Sequence, residues 1–187
     1  MNRLHTWYCQ SDHWTWKTQS EVLPWALGGI NLGDSVLEVG PGLGATTDWL
    51  RHRTKQLDAL EIDPALADSL QQRFAATNVN VRCGDATKMP YQDGGFSAVL
   101  TFTMMHHIPT HELQDRFFRE AFRSLKPGGI FAGVDSLLSV LMRLFHLGDT
   151  MTLVSPHTLA SRLLSAGFTD PQIHVGSTRF RFSAKRF

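Results

Sequence analysis

The sequence predicts a doubly wound α/β fold, Rossmann-like, with helices on both faces of the sheet. Three observations predict it: short β-branched or leucine-rich runs alternate with longer amphipathic segments, turn residues separate them, and a glycine cluster directly follows the first run. The first strand is read at 35–39, announced by Gly33 and Asp34, and a helix follows over 45–53. A second strand at 56–62 leads to a helix over 64–76, with Pro64 suited to its first position. A third strand at 78–83 is flanked by Gly84 and Asp85, and a fourth at 96–102 follows the turn Asp93, Gly94, Gly95. Thr110 caps a helix whose apolar positions Leu113, Phe117, Phe118, Ala121, Phe122 and Leu125 recur at helical spacing. Lys126, Pro127, Gly128 and Gly129 read as the turn that stops it. A fifth strand at 130–135, a helix at 156–166 ended by Gly167, and a closing pair of strands at 172–175 and 179–184 complete the reading.

Composition limits the function classes. The 187 residues carry 18 Lys+Arg against 17 Asp+Glu, a formal charge of +1, so no broad basic surface for duplex DNA or an anionic membrane is expected. A hydrophobic fraction of 42% with 19% charged residues suits a globular chain of one domain. Within it, 1–33 reads as an aromatic N-terminal cap, 34–135 as a cofactor-binding half and 136–187 as a substrate-side half. The basic cluster Arg179, Arg181, Lys185 and Arg186 reads as a solvated strand face. Cys9 and Cys83 lack any CxxC spacing, and Cys83 reads as a small buried hydrophobe. The nine histidines show no HExxH-like spacing, so no metal is expected. No stretch approaches the ~20 apolar residues that span a bilayer, and no signal-peptide core stands near Met1, so a cytoplasmic location is expected.

The strongest local signal is Val36, Leu37, Glu38, Val39, Gly40, Pro41, Gly42, Leu43, Gly44: a strand, an acid, then glycines opening a helix. Glycines let the backbone turn tightly and approach a ligand, and a helix start offers unpaired N–H groups. Alone the loop is ambiguous, because Gly40, Gly42 and Ala45 also satisfy the dinucleotide fingerprint of nicotinamide-dependent oxidoreductases. Two acids push the choice. Glu38 would repel a pyrophosphate but suits a cationic amino-acid group, and Asp85, after the third strand, suits an adenine amino group. Glu61 can accept from two ribose hydroxyls in either case.

Four ordered motifs then carry a resemblance: LEVGPGLG from Leu37, LEIDP from Leu60, GDATKMPYQDGGFSAV from Gly84 and LKPGGIFAGVD from Leu125. Over residues 34–184 the chain resembles the class I S-adenosylmethionine-dependent methyltransferases, nearest the small-molecule type labelled methyltransferase type 11. The resemblance implies seven strands in the order 3-2-1-4-5-7-6 with the last antiparallel. It implies S-adenosylmethionine as cofactor, with S-adenosylhomocysteine as product. Gly40, Gly42 and Gly44 would line the methionyl and ribose part, Glu38 would lie near the amino group, and Glu61 would hold the ribose. Ile62 would flank the adenine, Asp85 and Ala86 would read its edge, and Thr101 and Phe102 would contact the methionine moiety. Ser97 departs from the family's usual Asp, a position of structural weight.

Methyl transfer from a sulfonium needs alignment above all, worth ~7–11 kcal/mol, with an optional general base adding ~10²–10⁴-fold. Candidates at the C-terminal strand ends are His106, His107, Asp135 and His146, the last at i, i+3 from Asp149. Each also has a plain scaffold reading. Leu137, Leu138, Leu141, Leu144 and Phe145 form a helical apolar stripe, either core packing or a lid over residues 136–153. Trp7, Tyr8, Trp14 and Trp16 are too aromatic to stay exposed and are expected to dock. The expected acceptor is a small, partly hydrophobic molecule, taken up without nucleic acid and with a lipid as an open alternative. A non-catalytic cofactor-binding or interaction module is the competing class.

Overall fold

In the computed structural model, which describes residues 11–139 and 151–187, seven strands form one sheet in the order β3-β2-β1-β4-β5-β7-β6. The strands are β1 (Ser35–Val39), β2 (Gln56–Glu61), β3 (Val79–Cys83), β4 (Phe96–Phe102), β5 (Leu125–Ser136), β6 (Thr169–Val175) and β7 (Arg179–Lys185). β1 through β5 pair in parallel, whereas β7 runs antiparallel to both β5 and β6. The expected order and the closing antiparallel pair are therefore present.

The helices are α1 (Asp12–Lys17), α2 (Leu23–Leu27), α3 (Ala45–Leu50), α4 (Pro64–Phe74), α5 (His111–Ser124) and α6 (Pro156–Ser165). Their starts follow sequence signals. Asp63 caps α4 by accepting from the backbone N–H of Ala65 and Leu66, with Pro64 in the first turn. Thr110 caps α5 by accepting from Leu113 N–H at 3.3 Å. Between α1 and α2 lies a π-helical turn, Thr18–Val22, whose wider spacing lets two of its residues, Thr18 and Val22, turn inward together.

Alternation along the central strands divides the core between the two faces. Val99, Phe131 and Phe182 pack with Phe117 and Phe118 of α5 and with Phe168, while Ala98, Leu100, Ala132 and Val134 pack beneath Leu23, Ala26 and Leu27 of α2. Phe131 is the hub of the first face, in ring contact with Phe117, Phe118, Phe168 and Phe182. Burying both faces of β1 and β4 explains why those strands read as near-continuous apolar runs.

Three expectations need correction here. The helix does stop before Lys126, but the fifth strand, read from 130, begins earlier: β5 starts at Leu125, which pairs with Phe96, and the register then jumps to Ile130 opposite Ala98. The intervening backbone is carried by Arg186, whose carbonyl accepts from Gly128 N–H and whose N–H donates to Gly129. Cys83 is exposed, not buried, because β3 is the edge strand and alternate residues of it face water. Trp16 is 59% exposed, so it does not dock as expected. Ser97 bears out its structural reading: its hydroxyl sits within 2.7 Å of the carbonyls of Leu32 and Ser35 and accepts from Ser35 N–H. The lid stripe beyond Ser139, and Trp7, Tyr8 and Cys9, lie outside the described residues. Among the described residues no helix is long and apolar enough to cross a membrane.

Candidate active site

The ends of β1, β2 and β4 open into a cavity of about 530 Å³ at the C-terminal edge of the sheet, where open α/β sheets place their ligands. Its floor is the turn after β1. Gly40, Gly42 and Gly44 all take positive φ, at 74°, 55° and 80°, a conformation that costs other residues ~1–2 kcal/mol. The three differ in what surrounds them. A side chain at Gly40 would strike Met104 Cγ at 2.3 Å and one at Gly44 would strike Leu70 Cδ2 at 2.6 Å, whereas Gly42 faces open space. Gly40 and Gly42 line the cavity, while Gly44 serves to seat the start of α3 against α4.

Two carboxylates stand on one side. Glu61, at the end of β2, is buried, with Oε2 accepting from Gly42 N–H at 2.9 Å and Oε1 from Asp63 N–H at 3.1 Å. Two backbone donors thus orient it and leave a lone pair on each oxygen for a ligand. Asp85, after β3, accepts from Thr87 N–H at 2.7 Å, which fixes its rotamer at the wall it shares with Ala86. Ile62 lies between these acids in the lining, 67% exposed.

Glu38 behaves differently from the expectation. It is not part of the lining; it lies behind it, buried, accepting from the hydroxyls of Thr46 and Thr47 in the first turn of α3. Burial pushes its carboxyl up to about 7, against the lowering effect of the two threonine hydroxyls. Thr46 is itself in the cavity wall, so Glu38 reaches the cavity through that residue.

At the end of β4 the wall is formed by Phe102, Thr103, Met104 and His107. Thr101 is not in the wall; it is fully buried within the sheet, its hydroxyl without a partner. Thr103 takes φ of 52°, a strained value for a β-branched residue, and this turn swings the chain so that Met104 covers Gly40. His106 and His107 diverge. His106 is buried, its Nδ1 2.5 Å from Asp135 Oδ1, while its backbone N–H donates to Asp135 Oδ2 and Ser136 N–H donates to Oδ1. An acceptor-only carboxylate so placed keeps the His106 proton on Nδ1. The His107 ring packs on that of His106, with centroids 4.3 Å apart, and forms part of the cavity wall. His146 and Asp149 lie outside the described residues.

Sequence reasoning missed the opposite wall: Thr18 and Val22 of the π-turn, and Arg179 at the start of β7. It did single out Trp14, which also lines the cavity. The basic cluster is only in part a solvated face: Lys185 is exposed, whereas Arg181 and Arg186 are engaged by the protein. Arg181 stacks over Trp25 and donates to its carbonyl, and Arg186 donates from Nη1 to the carbonyls of Phe122, Arg123 and Leu125. Lys185 sits 3.6 Å from Asp170. The alternation of charge with Phe180 and Phe182 signalled a two-faced strand, but not that Arg181 on its polar face is held by Trp25 of α2.

The sequence profile of the methyltransferase domain family matches residues 37–133, more than half of the chain. The chain belongs to that family. S-adenosylmethionine is the cofactor of its class I members, and the glycine floor, the open space over Gly42 and the oriented Glu61 and Asp85 fit that group. Curated relatives include a Methanosarcina mazei protein assigned as ribosomal RNA small subunit methyltransferase A, 37% identical over 84 residues, covering 40% of this chain and 31% of that one. A Mycolicibacterium smegmatis protein assigned as an S-adenosylmethionine-dependent methyltransferase is 29% identical over 116 residues, covering 62% of this chain and 43% of that one. The chain thus spans between 31% and 43% of the length of these relatives. Among solved structures, a chain of the complex between the Haloferax volcanii Trm112 methyltransferase activator and a methyltransferase aligns over 99% of this chain and 98% of its own length, with TM-score 0.75 and 15% identity. Phosphoethanolamine N-methyltransferase 2 of Haemonchus contortus, solved with S-adenosyl-L-methionine, aligns over 91% of this chain and 52% of its own, with TM-score 0.74 and 15% identity. Both share the fold. Among the described residues, no group of three or more His, Cys, Asp or Glu is placed to hold a metal ion.

Proposed function

We propose that this methyltransferase domain transfers the methyl group of S-adenosylmethionine to a small, partly hydrophobic acceptor seated beside His107. The observation that carries the reading is the cavity itself, with acids at its β2 and β3 side, a bare glycine floor and a histidine at its β4 side. When bound, the cofactor supplies an electrophilic methyl group on a positively charged sulfur, displaced in line by the acceptor. The chain's own residues do the rest. Glu61 accepts from the ribose hydroxyls, Asp85 and the Ala86 backbone take the adenine edge, and Ile62 covers the ring. Gly42 lets the backbone approach.

His107 is the group that touches the acceptor and takes its proton where one must leave. Its ring is held by His106, which is held in turn by Asp135, so two buried residues position it. Phe102, Met104, Ile108 and Leu113, which flank His107 in the sequence, add apolar lining. Titration calorimetry with S-adenosylhomocysteine tests the reading. Wild-type protein binds, and Glu61→Ala and Asp85→Ala weaken binding at least tenfold each while keeping the wild-type melting temperature within a few degrees. A folded wild type that binds neither this ligand nor S-adenosylmethionine overturns it.

A further inference from the structure

Two polar atoms of the cavity wall have no hydrogen-bond partner: Thr18 Oγ1, on a residue only 5% exposed, and Arg179 Nη1, buried on a half-buried residue. Hydroxyls and guanidinium N–H groups withdrawn from water are ordinarily paired, so a matched pair of orphans on one cavity points to a ligand group that completes them. Arg179 is the only Lys or Arg among the lining residues described, and no ion pair among the described residues involves it. The nearest candidate counter-ion in the strand ladder is otherwise engaged: Asp135 pairs across from Phe180 and is bonded to His106, whereas Arg179 pairs across from Ser136. Arg179 and Arg181 share one face of β7, and Arg181 donates to the carbonyl of Trp25 in α2 and stacks on its ring. That bond ties β7 to α2, with Thr18 in the π-turn that leads into α2 and Arg179 two residues before Arg181 in β7.

Charge in the cavity is also segregated. Glu61, Asp63 and Asp85 follow β2 and β3, while Arg179 opens β7, four and five positions away in the sheet. At about 4.8 Å per strand this separates the cation from the acids by roughly 20 Å. The acids therefore do not neutralise it.

We propose that Arg179 and Thr18 form a carboxylate-binding corner, in which Nη1 and the Thr18 hydroxyl donate to the same anionic group. Resting on the proposed cofactor reading, this names what lies at the end of the cavity away from the adenosine. The carboxylate belongs to the acceptor, since Arg179 opens β7, four and five strand positions from the acids proposed to hold the adenosine. Arg suits the task because its planar fork matches the two oxygens of a carboxylate.

Calorimetry on the full chain tests this, with Arg179→Met and Thr18→Val compared against wild type. The probes are S-adenosylmethionine, its decarboxylated analogue, and benzoate added to protein saturated with S-adenosylhomocysteine. Should both variants weaken S-adenosylmethionine about ten- to hundredfold while the decarboxylated analogue binds them as it binds wild type, the carboxylate is the cofactor's own and the acceptor assignment is overturned. If the acceptor supplies it, cofactor affinity is unchanged and benzoate binding falls by the same factor. Arg179→Lys, which keeps the charge, recovers part of either loss. Variants that melt as wild type and bind both S-adenosylmethionine and benzoate within twofold of it overturn the corner and leave the cofactor reading intact. Wild-type protein that binds benzoate through Arg179 but no S-adenosylmethionine has the opposite meaning, sinking the cofactor reading and sustaining the corner. Should Arg179→Met fail to fold, Thr18→Val, which keeps the side-chain shape and removes the hydroxyl, decides the question with the same probes.

Discussion

Replacing Glu38 by glutamine should make the protein less sensitive to pH, and the size of the effect follows from its burial. The Glu38 carboxyl is pushed up to about 7 in the fold from 4.5, with burial the largest cause. Between those values the folded chain holds a proton that the unfolded chain has released, so stability falls as pH rises through the interval. A displacement of this size corresponds to about 3 kcal/mol, fully present below pH 4.5 and lost above about 7. The amide of the Glu38→Gln variant carries no charge at any pH and keeps a carbonyl oxygen for one of the threonine hydroxyls. The two proteins should therefore melt at similar temperatures near pH 5, and the variant should melt higher at pH 8 by roughly 6–12 °C for a chain of this length. Comparing variant with wild type at each pH removes the contribution of the histidines, which both share. An equal gap between variant and wild type at pH 5 and pH 8 would refute the reasoning, and a gap of opposite sign would show that the ionised form is the favoured one.

Asp135→Ala strips the acceptor from His106 Nδ1 and from the backbone N–H groups of His106 and Ser136, and urea unfolding should register a loss of about 3–5 kcal/mol. Gly40→Ala and Gly42→Ala share a backbone cost but differ in surroundings: the first meets Met104 at 2.3 Å and the second meets nothing. Thermal melts should show the Gly40 variant as the less stable, while calorimetry should show the Gly42 variant, in the better-folded protein, weakening S-adenosylhomocysteine. The exposed Cys83 thiol should react with a chromogenic disulfide in the native protein without denaturant, and Cys83→Ser should remove its share of that reaction.

How far the site could be read in advance depended on what each residue's position rests on. Glu61 and Asp85 were legible because strand ends are set by glycine and turn residues, and an acid just past a parallel strand has one direction to face. Thr101 lies inside the sheet because the chain bends only two residues later, at Thr103, through a positive φ that no sequence pattern announces for threonine. The role of Glu38 was hidden because it depends on two neighbouring hydroxyls, Thr46 and Thr47, that outcompete the cavity for its oxygens. Cys83 was misjudged because residue type argued for burial while the strand's edge position, a property of the whole sheet, decided otherwise. Arg179 was the largest omission. Its alternation with Phe180 and Phe182 was plain, yet what holds the polar face of β7 is a long-range fact, the bond from Arg181 to Trp25 of α2.

The most direct test of the account is a crystal structure of the protein grown with saturating S-adenosylhomocysteine. The account predicts density in the cavity after β1, with the ribose hydroxyls on Glu61, the adenine amino group on Asp85 and the sulfur end directed toward His107. Density in another place, or a reversed ligand with its adenine toward Arg179, would contradict it.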